Sequence, residues 1–361
     1  MRNLALAALC AAACALPAGA ADEGHWINLF DGETTFGWTS IGDAKWSVKD
    51  KVLTGESGTG GMIATTSRFQ DFELTAKIRV KAECSTGLAV RAGLDGHPAE
   101  NGSGVIWISE AKGSKSPWHE ISVKAQGNKL EATVDGKSQE ISSTNARGYV
   151  ALLYHHNGGA VVELSEAKLR PLGGESIFNG KDLQGWNIIP ERKSVFSVVD
   201  GALNIKNGNG QIETAKTWKD FTLQLDIFSN GEHLNSGVFY RGPVGEFWKG
   251  YESQVRNQWE GDDRTKPVDF GTGGNYGNQA SRKVVSSDKE WFQKTIVTDG
   301  NHTSVWINGY QASDFYDTRP VNNQGNGKVG YVPGPGTIHL QGHDPTTDLS
   351  FKNIVLQSYD K

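Results

Sequence analysis

The chain has 361 residues, about twice an ordinary domain of ~150, so two domains are the default expectation. It holds 45 Gly and 11 Trp but only 11 Pro and 2 Met, a composition suited to short strands joined by glycine turns rather than to packed helices. The formal charge of −5 comes without a long run of either sign, which argues against a nucleic-acid footprint or a basic membrane-binding face and suits a small neutral ligand.

The first 21 residues, MRNLALAALCAAACALPAGAA, have one arginine, an apolar run and small residues at the end, the layout of a secretory signal peptide cleaved after Ala20 or Ala21. Cys10 and Cys14 lie inside it, and AAAC is a poor lipidation site. Cys84 is then the single cysteine of the mature chain and forms no internal disulfide. No other stretch approaches the ~20 apolar residues of a membrane span. The expectation is an exported, soluble, periplasmic protein, its oligomeric state left open.

After the leader, a unit occurs twice. INLFDGETTFGW from Ile27 matches ESIFNGKDLQGW from Glu175, with Phe30 against Phe178, 148 residues on. WSVKDKVL from Trp46 matches FSVVDGAL from Phe196, FQDFEL from Phe69 matches WKDFTL from Trp218, and TGLAVRAG matches SGVFYRG so that Arg91 answers Arg241. At KLEATVDGK and TSVWINGY the spacing has grown to 173, so copy two carries roughly 25 extra residues between Arg241 and Ile307. Five matches in one order indicate a tandem duplication. Copy one spans residues 24–171 and copy two 175–361, joined by RPLGGE.

Within each copy the pattern is strand after strand. DFTLQLDIF alternates apolar and polar residues as a half-buried strand does, and TSVWING and EATVDGK are strands entering Asn-Gly and Asp-Gly turns. LSFKNIVLQ closes the chain in the same way, and helical periodicity is nearly absent. The fold class is therefore all-β, with two antiparallel sheets packed face to face in each copy as a jelly-roll sandwich.

Period-two counting places side chains on faces. Phe239 and Arg241 share one, Glu252 and Gln254 share one opposite Tyr251 and Val255, and His339, Gln341 and His343 share one opposite Ile338 and Leu340. Each polar row is backed by an apolar row, so the polar rows can gather on an outer sheet face. Aligned at a spacing of 146, copy one has Ile106 and Ile108 where copy two has Glu252 and Gln254, which favours function over a solvated ion pair for Glu252. Arg241 recurs as Arg91, leaving a structural fork and a functional cation equally open. His343 has no histidine-bearing counterpart in this alignment and can exchange protons near neutral pH, whereas His339 reads as a packed strand residue. The added segment of copy two is long, glycine-rich and aromatic; Tyr276 and Trp259 could stack on a ligand and Lys283 could supply a cation, the alternative being a plain surface loop.

Together LFDGxxLxGW, the W/F-x-V-x-DGxL strand, NSGVFYRG, GYExQ, TGxxYG, KEW, NG and LQGHD resemble the 3-keto-disaccharide hydrolase family, across all of copy two and through the scaffold motifs of copy one. The resemblance implies two concanavalin-like jelly rolls, copy two catalytic and copy one ancillary, and cleavage of glycosides whose C3 hydroxyl has been oxidised to a ketone. Such chemistry needs a base, a group at the ketone oxygen and a proton for the leaving oxygen. The residues that match are Glu252 as base or sugar ligand, Arg241 at the ketone oxygen, His343 in proton exchange, and Gln254, Gln341, Tyr276, Trp259 and Lys283 as substrate contacts. Asp344 departs from the glycine expected in the family. No cofactor is expected; Glu252, His343 and Asp344 could hold a divalent cation, although no HxH with a carboxylate stands here. A carbohydrate-binding protein without catalysis is the alternative, since a jelly roll with aromatics supports it equally. A conventional glucanase would carry carboxylates as E-x-D-x-x-E, and copy two has no such run.

Overall fold

The computed structural model describes residues 24–81, 84–98, 100–110, 116–155 and 161–360; the leader segment and its two cysteines lie outside them. The described residues form 26 strands and no α-helix, arranged as four antiparallel sheets. Each copy contributes one sheet of eight strands and one of five. In copy two the large sheet runs Val195–Val199, Ala202–Lys206, Asp348–Ser358, Phe221–Ser229, Trp291–Asp299, His302–Ile307 and Tyr310–Tyr316, with Glu175–Ser176 paired beside Asp348–Ser358. The small sheet runs Trp186–Ile188, Gly210–Thr214, Thr337–Gly342, Ser236–Gly242 and Tyr251–Val255. Copy one repeats both orders, its small sheet being Trp38–Gly42, Gly60–Thr65, Tyr149–His155, Cys84–Ala92 and Gly104–Glu110.

The Asp-Gly and Asn-Gly pairs close two-residue hairpins in both copies. Asp135 and Gly136 have φ of 50° and 74°, Asn308 and Gly309 of 49° and 80°, the double positive φ whose twist matches that of the flanking strands. Between the two sheets of copy two, Leu223, Leu225, Ile227, Phe292 and Ile296 of the large sheet meet Ile212, Val238, Tyr240, Tyr251, Ile338 and Leu340 of the small one. This is the apolar half of each alternating strand, removed from water as the dominant favourable contribution to folding.

The strand Phe221–Ser229 departs from the half-buried expectation, because Thr222, Gln224 and Asp226 on its other face are buried as well. Copy one covers them. Gln224 accepts a hydrogen bond from the backbone N–H of His25 at 2.8 Å and donates to its carbonyl at 2.9 Å, and His25 lies 3.0 Å from Asp226. Trp306, Val297 and Tyr359 of copy two join the apolar cluster of copy one, with the Trp306 indole donating to the Asn28 carbonyl at 3.1 Å and its ring 6.4 Å from that of Phe69. Arg68 and Arg282 add polar closure on Asp299 and Asp31, at 2.6 and 2.9 Å. The copies are therefore fused back to edge, and the small sheet of copy two stays on the opposite side of its sandwich from copy one. Trp306→Ala should remove about 3–5 kcal/mol of stability, read as a lower thermal midpoint and a loss of protease resistance at the boundary between the copies.

Candidate active site

The small sheet of copy two gives its core row to the sandwich and turns the other row outward. That outer row comprises Gln211 and Glu213, Gly237 and Phe239, Glu252 and Gln254, and Thr337, His339 and Gln341. Loops cover it so closely that every polar side chain in it is buried. The segment Pro243–Gly250 folds over one half, with the backbone N–H of Gly245 donating to Glu213 at 3.0 Å and that of Trp248 to Gln211 at 2.7 Å. The long segment after Val255 covers the other half, where Gln254 donates to the Asp269 carboxylate at 3.1 Å and Asn235 to the same oxygen at 2.9 Å.

At the centre stands Glu252. Gly237 lies beneath its carboxylate; a Cβ there would come within 2.4 Å of Glu252 Oε1. Lys328 Nζ lies 3.1 Å from Glu252 Oε2 as an ion pair. The same ammonium sits 3.8 Å from the Trp248 ring centroid and 5.1 and 5.2 Å from those of Phe239 and Tyr276, so three aromatic faces hold it. Burial raises the Glu252 carboxyl above its ordinary range, against the opposing pull of Lys328. Burial lowers the Lys328 ammonium, with Glu252 pulling it back. Gln211 Nε2, Gln341 Oε1 and Asn235 Oδ1 are buried without a hydrogen-bond partner among the described residues. A row of such atoms is costly for a scaffold and suits a polyhydroxylated ligand.

His343 stands at the rim, exposed, just beyond the strand Thr337–Gly342. Its Nδ1 is 3.0 Å from Asp344 Oδ2, and its charge reaches Glu252. Burial would raise the Asp344 carboxyl, but hydrogen bonds from Thr346 and His343 hold it below its ordinary range. Tyr276 lies against Phe270, and its phenol is pushed up by burial and by the charges of Asp269 and Glu252. Glu252, Gln254, Gln341, Tyr276 and His343 thus belong to one region of the sheet.

Three candidates do not. A bulge between Phe239 and Gly242 breaks the alternation at Arg241, whose φ is 54°. Its guanidinium is buried at the sandwich edge, donating to the carbonyls of Lys219, Gly300 and Val332 and to Asp220 at 2.9 Å. Arg91 repeats this in copy one, with φ of 48° and bonds to Gln70, Gly127, Asn145 and Asp71. Arg241 is therefore a structural fork and faces away from the outer row. Trp259 packs under the Arg264 guanidinium, 4.1 Å from its centroid, in the excursion that pairs it with Pro267. Lys283 follows Arg282, which reaches into copy one, and the cation beside Glu252 is Lys328 instead. Glu252, His343 and Asp344 also do not converge as a three-ligand group among the described residues.

The registers correct the comparison between copies. Phe239 faces Glu252 and Gly237 faces Gln254, while Ala89 faces Val105 and Gly87 faces Trp107. The counterparts of Glu252 and Gln254 are thus Val105 and Trp107, one residue away from the expected Ile106 and Ile108, which belong to the core. The polar pair still has no equivalent in copy one. The strand Tyr149–His155 likewise sets Leu153 against Gln341 and His155 against His343, so His343 does have a histidine-bearing counterpart in the backbone register. Throughout, the outer row of copy one is apolar, with Met62, Ala64, Ala89, Ala151 and Leu153 packed together.

Lys328 lies in a second lengthened segment of copy two, whose signal in the sequence is its length and not a motif. Ile307 and Thr337 are 30 residues apart, whereas their register counterparts Val134 and Tyr149 are 15 apart. Arg319 fixes this segment by donating to the carbonyls of Gly327 and Lys328 and to Asp317, which accepts from the Tyr251 hydroxyl at 2.7 Å.

A β-sandwich with a loop-walled polar row on its small sheet offers an enclosed polar site for a small ligand. The chain belongs to the family of 3-keto-alpha-glucoside-1,2-lyase-like domains, which match at residues 25–163 and again at 173–357, once for each copy. Among curated proteins no sequence matches it. Solved structures similar to it include an inferred glycosyl hydrolase from Parabacteroides distasonis ATCC 8503, 24% identical over 52% of this chain and 99% of that one, with a TM-score of 0.42. Carbohydrate-binding module CBM66 from Bacillus subtilis is 13% identical over 49% of this chain and 97% of that one, with a TM-score of 0.36.

Two substitutions separate site from scaffold. Gly237→Ala keeps a permitted backbone but displaces the Glu252 carboxylate, and should lower activity at least tenfold with little change in melting temperature. Arg241→Met strands Asp220 and should cost on the order of 3 kcal/mol of stability, while the folded fraction keeps its kcat and KM in steady-state assays.

Proposed function

We propose that copy two cleaves the glycosidic bond of 3-keto-glycosides, with Glu252 as the base that removes the C2 proton. The observation that carries this reading is a buried carboxylate on the outer row whose Oε2 lies 3.1 Å from a caged ammonium. A ketone at C3 acidifies the C2 hydrogen. Glu252 takes that proton, the electron pair forms an enolate stabilised by the Lys328 ammonium, and the enolate expels the C1 oxygen, which collects a proton from His343. The products are the free aglycone and a 1,2-unsaturated 3-keto sugar. Addition of water at C1 with return of the proton to C2 completes a net hydrolysis. Export to the periplasm, an expectation from the leader segment, belongs to the same proposal.

Desolvation strengthens this base in the direction the chemistry needs, since a carboxylate with a raised pKa accepts a carbon-bound proton more readily. With a 3-keto-glucoside bearing a chromogenic leaving group, Glu252→Gln should reduce release by about 10²–10⁴-fold, and solvent deuterium should enter C2 only with the wild-type protein. The acid limb of kcat/KM should lie above the ordinary carboxylate range, falling as pH falls and Glu252 protonates. Lys328→Met removes the positive charge that opposes this shift and should move the limb to higher pH still. Tight binding of the keto-sugar with no release in the wild type would instead leave a carbohydrate-binding protein.

A further inference from the structure

A second lysine lies behind the site, inside the sandwich. Lys294 is on the strand Trp291–Asp299 of the large sheet, and its side chain crosses the interior to the underside of the strand that carries Glu252. Its Nζ donates to the Ser253 carbonyl at 2.9 Å, the Ser253 hydroxyl at 3.0 Å and the Gln254 carbonyl at 2.8 Å, which uses all three N–H groups. Among the described residues no carboxylate pairs with it. Glu252 is the charge that favours its ammonium, and the phenols of Tyr240 and Tyr251, which share this interior, are kept neutral by burial.

A buried ammonium without a counterion is unfavourable for a core, and burial drives Lys294 down to about 7. The duplicate shows that the fold does not require it. Lys294 pairs with Leu225 and Ile307 where Ile121 pairs with Ala76 and Val134, so Ile121 is its counterpart. Ser253 opposes Val238 where Ile106 opposes Leu88, so Ile106 is the counterpart of Ser253. Copy one fills the position with two core isoleucines, and its outer row has a valine in place of Glu252. Lysine and serine occur beneath the sheet where the glutamate occurs above it.

We propose that Lys294 is a positioning residue for Glu252: from the interior it pins the backbone of residues 253 and 254 and places a positive charge directly behind the carboxylate. It touches no substrate, and its effect passes through the strand. The assignment rests on the reading of Glu252 as the base, and its test is chosen to be separable from that reading.

The double variant Lys294→Ile with Ser253→Ile rebuilds the core pair that copy one already folds with, and Lys294→Met serves as a single-site check. In the full chain carrying ¹³C-labelled glutamate, the Glu252 resonance, assigned by its absence in Glu252→Gln, should titrate at higher pH in both variants than in the wild type. With a chromogenic 3-keto-glucoside, kcat should fall about 10- to 100-fold with KM within threefold, while the thermal midpoint of the double variant stays level or rises. An unmoved Glu252 titration in both folded variants overturns the proposal, as does an unchanged kcat. If the wild type releases nothing from the keto-glucoside, the catalytic reading fails, and the titration still decides whether Lys294 acts on Glu252.

Discussion

The alternation of a β-strand is the constraint on which the rest depends. A sandwich must give one row of every strand to its core, so the other row of the small sheet is free to take any chemistry the loops above it can shelter. Copy one leaves that row apolar, and copy two fills it with glutamate, glutamine and histidine on the same ladder. The core rows are apolar in both copies except beneath Glu252, where copy two has Lys294 and Ser253 in place of two isoleucines. Chemistry here is a property of one face of one sheet, added without altering the architecture.

Adding it carries an energetic burden that the structure distributes. Gln211 and Gln341 of the outer row each bury a polar atom without a hydrogen-bond partner among the described residues, and a lysine occupies a core where its duplicate has isoleucine. Each is unfavourable taken alone. The apolar surface that copy one lays over the back of copy two, centred on Trp306, is extra burial that a single sandwich would lack.

Much of this was legible in the sequence, and the failures have definite physical causes. The duplication, the all-β class and the grouping of Glu252, Gln254 and Gln341 followed from repeated motifs and period-two counting. Arg241 was misplaced because a bulge adds a residue and resets the alternation, which no periodicity announces in advance. The partner of Glu252 in copy one was misassigned by one position, and in a strand a slip of one moves every side chain to the wrong face. Lys328 and Asp269 come from loops, whose paths are set by contacts such as Arg319 with Asp317 rather than by any local pattern. The one sequence signal of Lys328 is the length of its segment, twice that of the counterpart in copy one.

Gly237 has one more consequence. Copy one keeps a glycine at that place, Gly87, where an added Cβ would come within 2.9 Å of Val105. In both sandwiches the side chain diagonal to the glycine, Glu252 or Val105, leans over it, so the posture at this position belongs to the scaffold and not to the glutamate. Copy one is in this sense an unfurnished mould of the same site. A carboxylate grafted at Val105 would inherit the pose of Glu252 at once, and would still lack the caged ammonium above it and the buried one below.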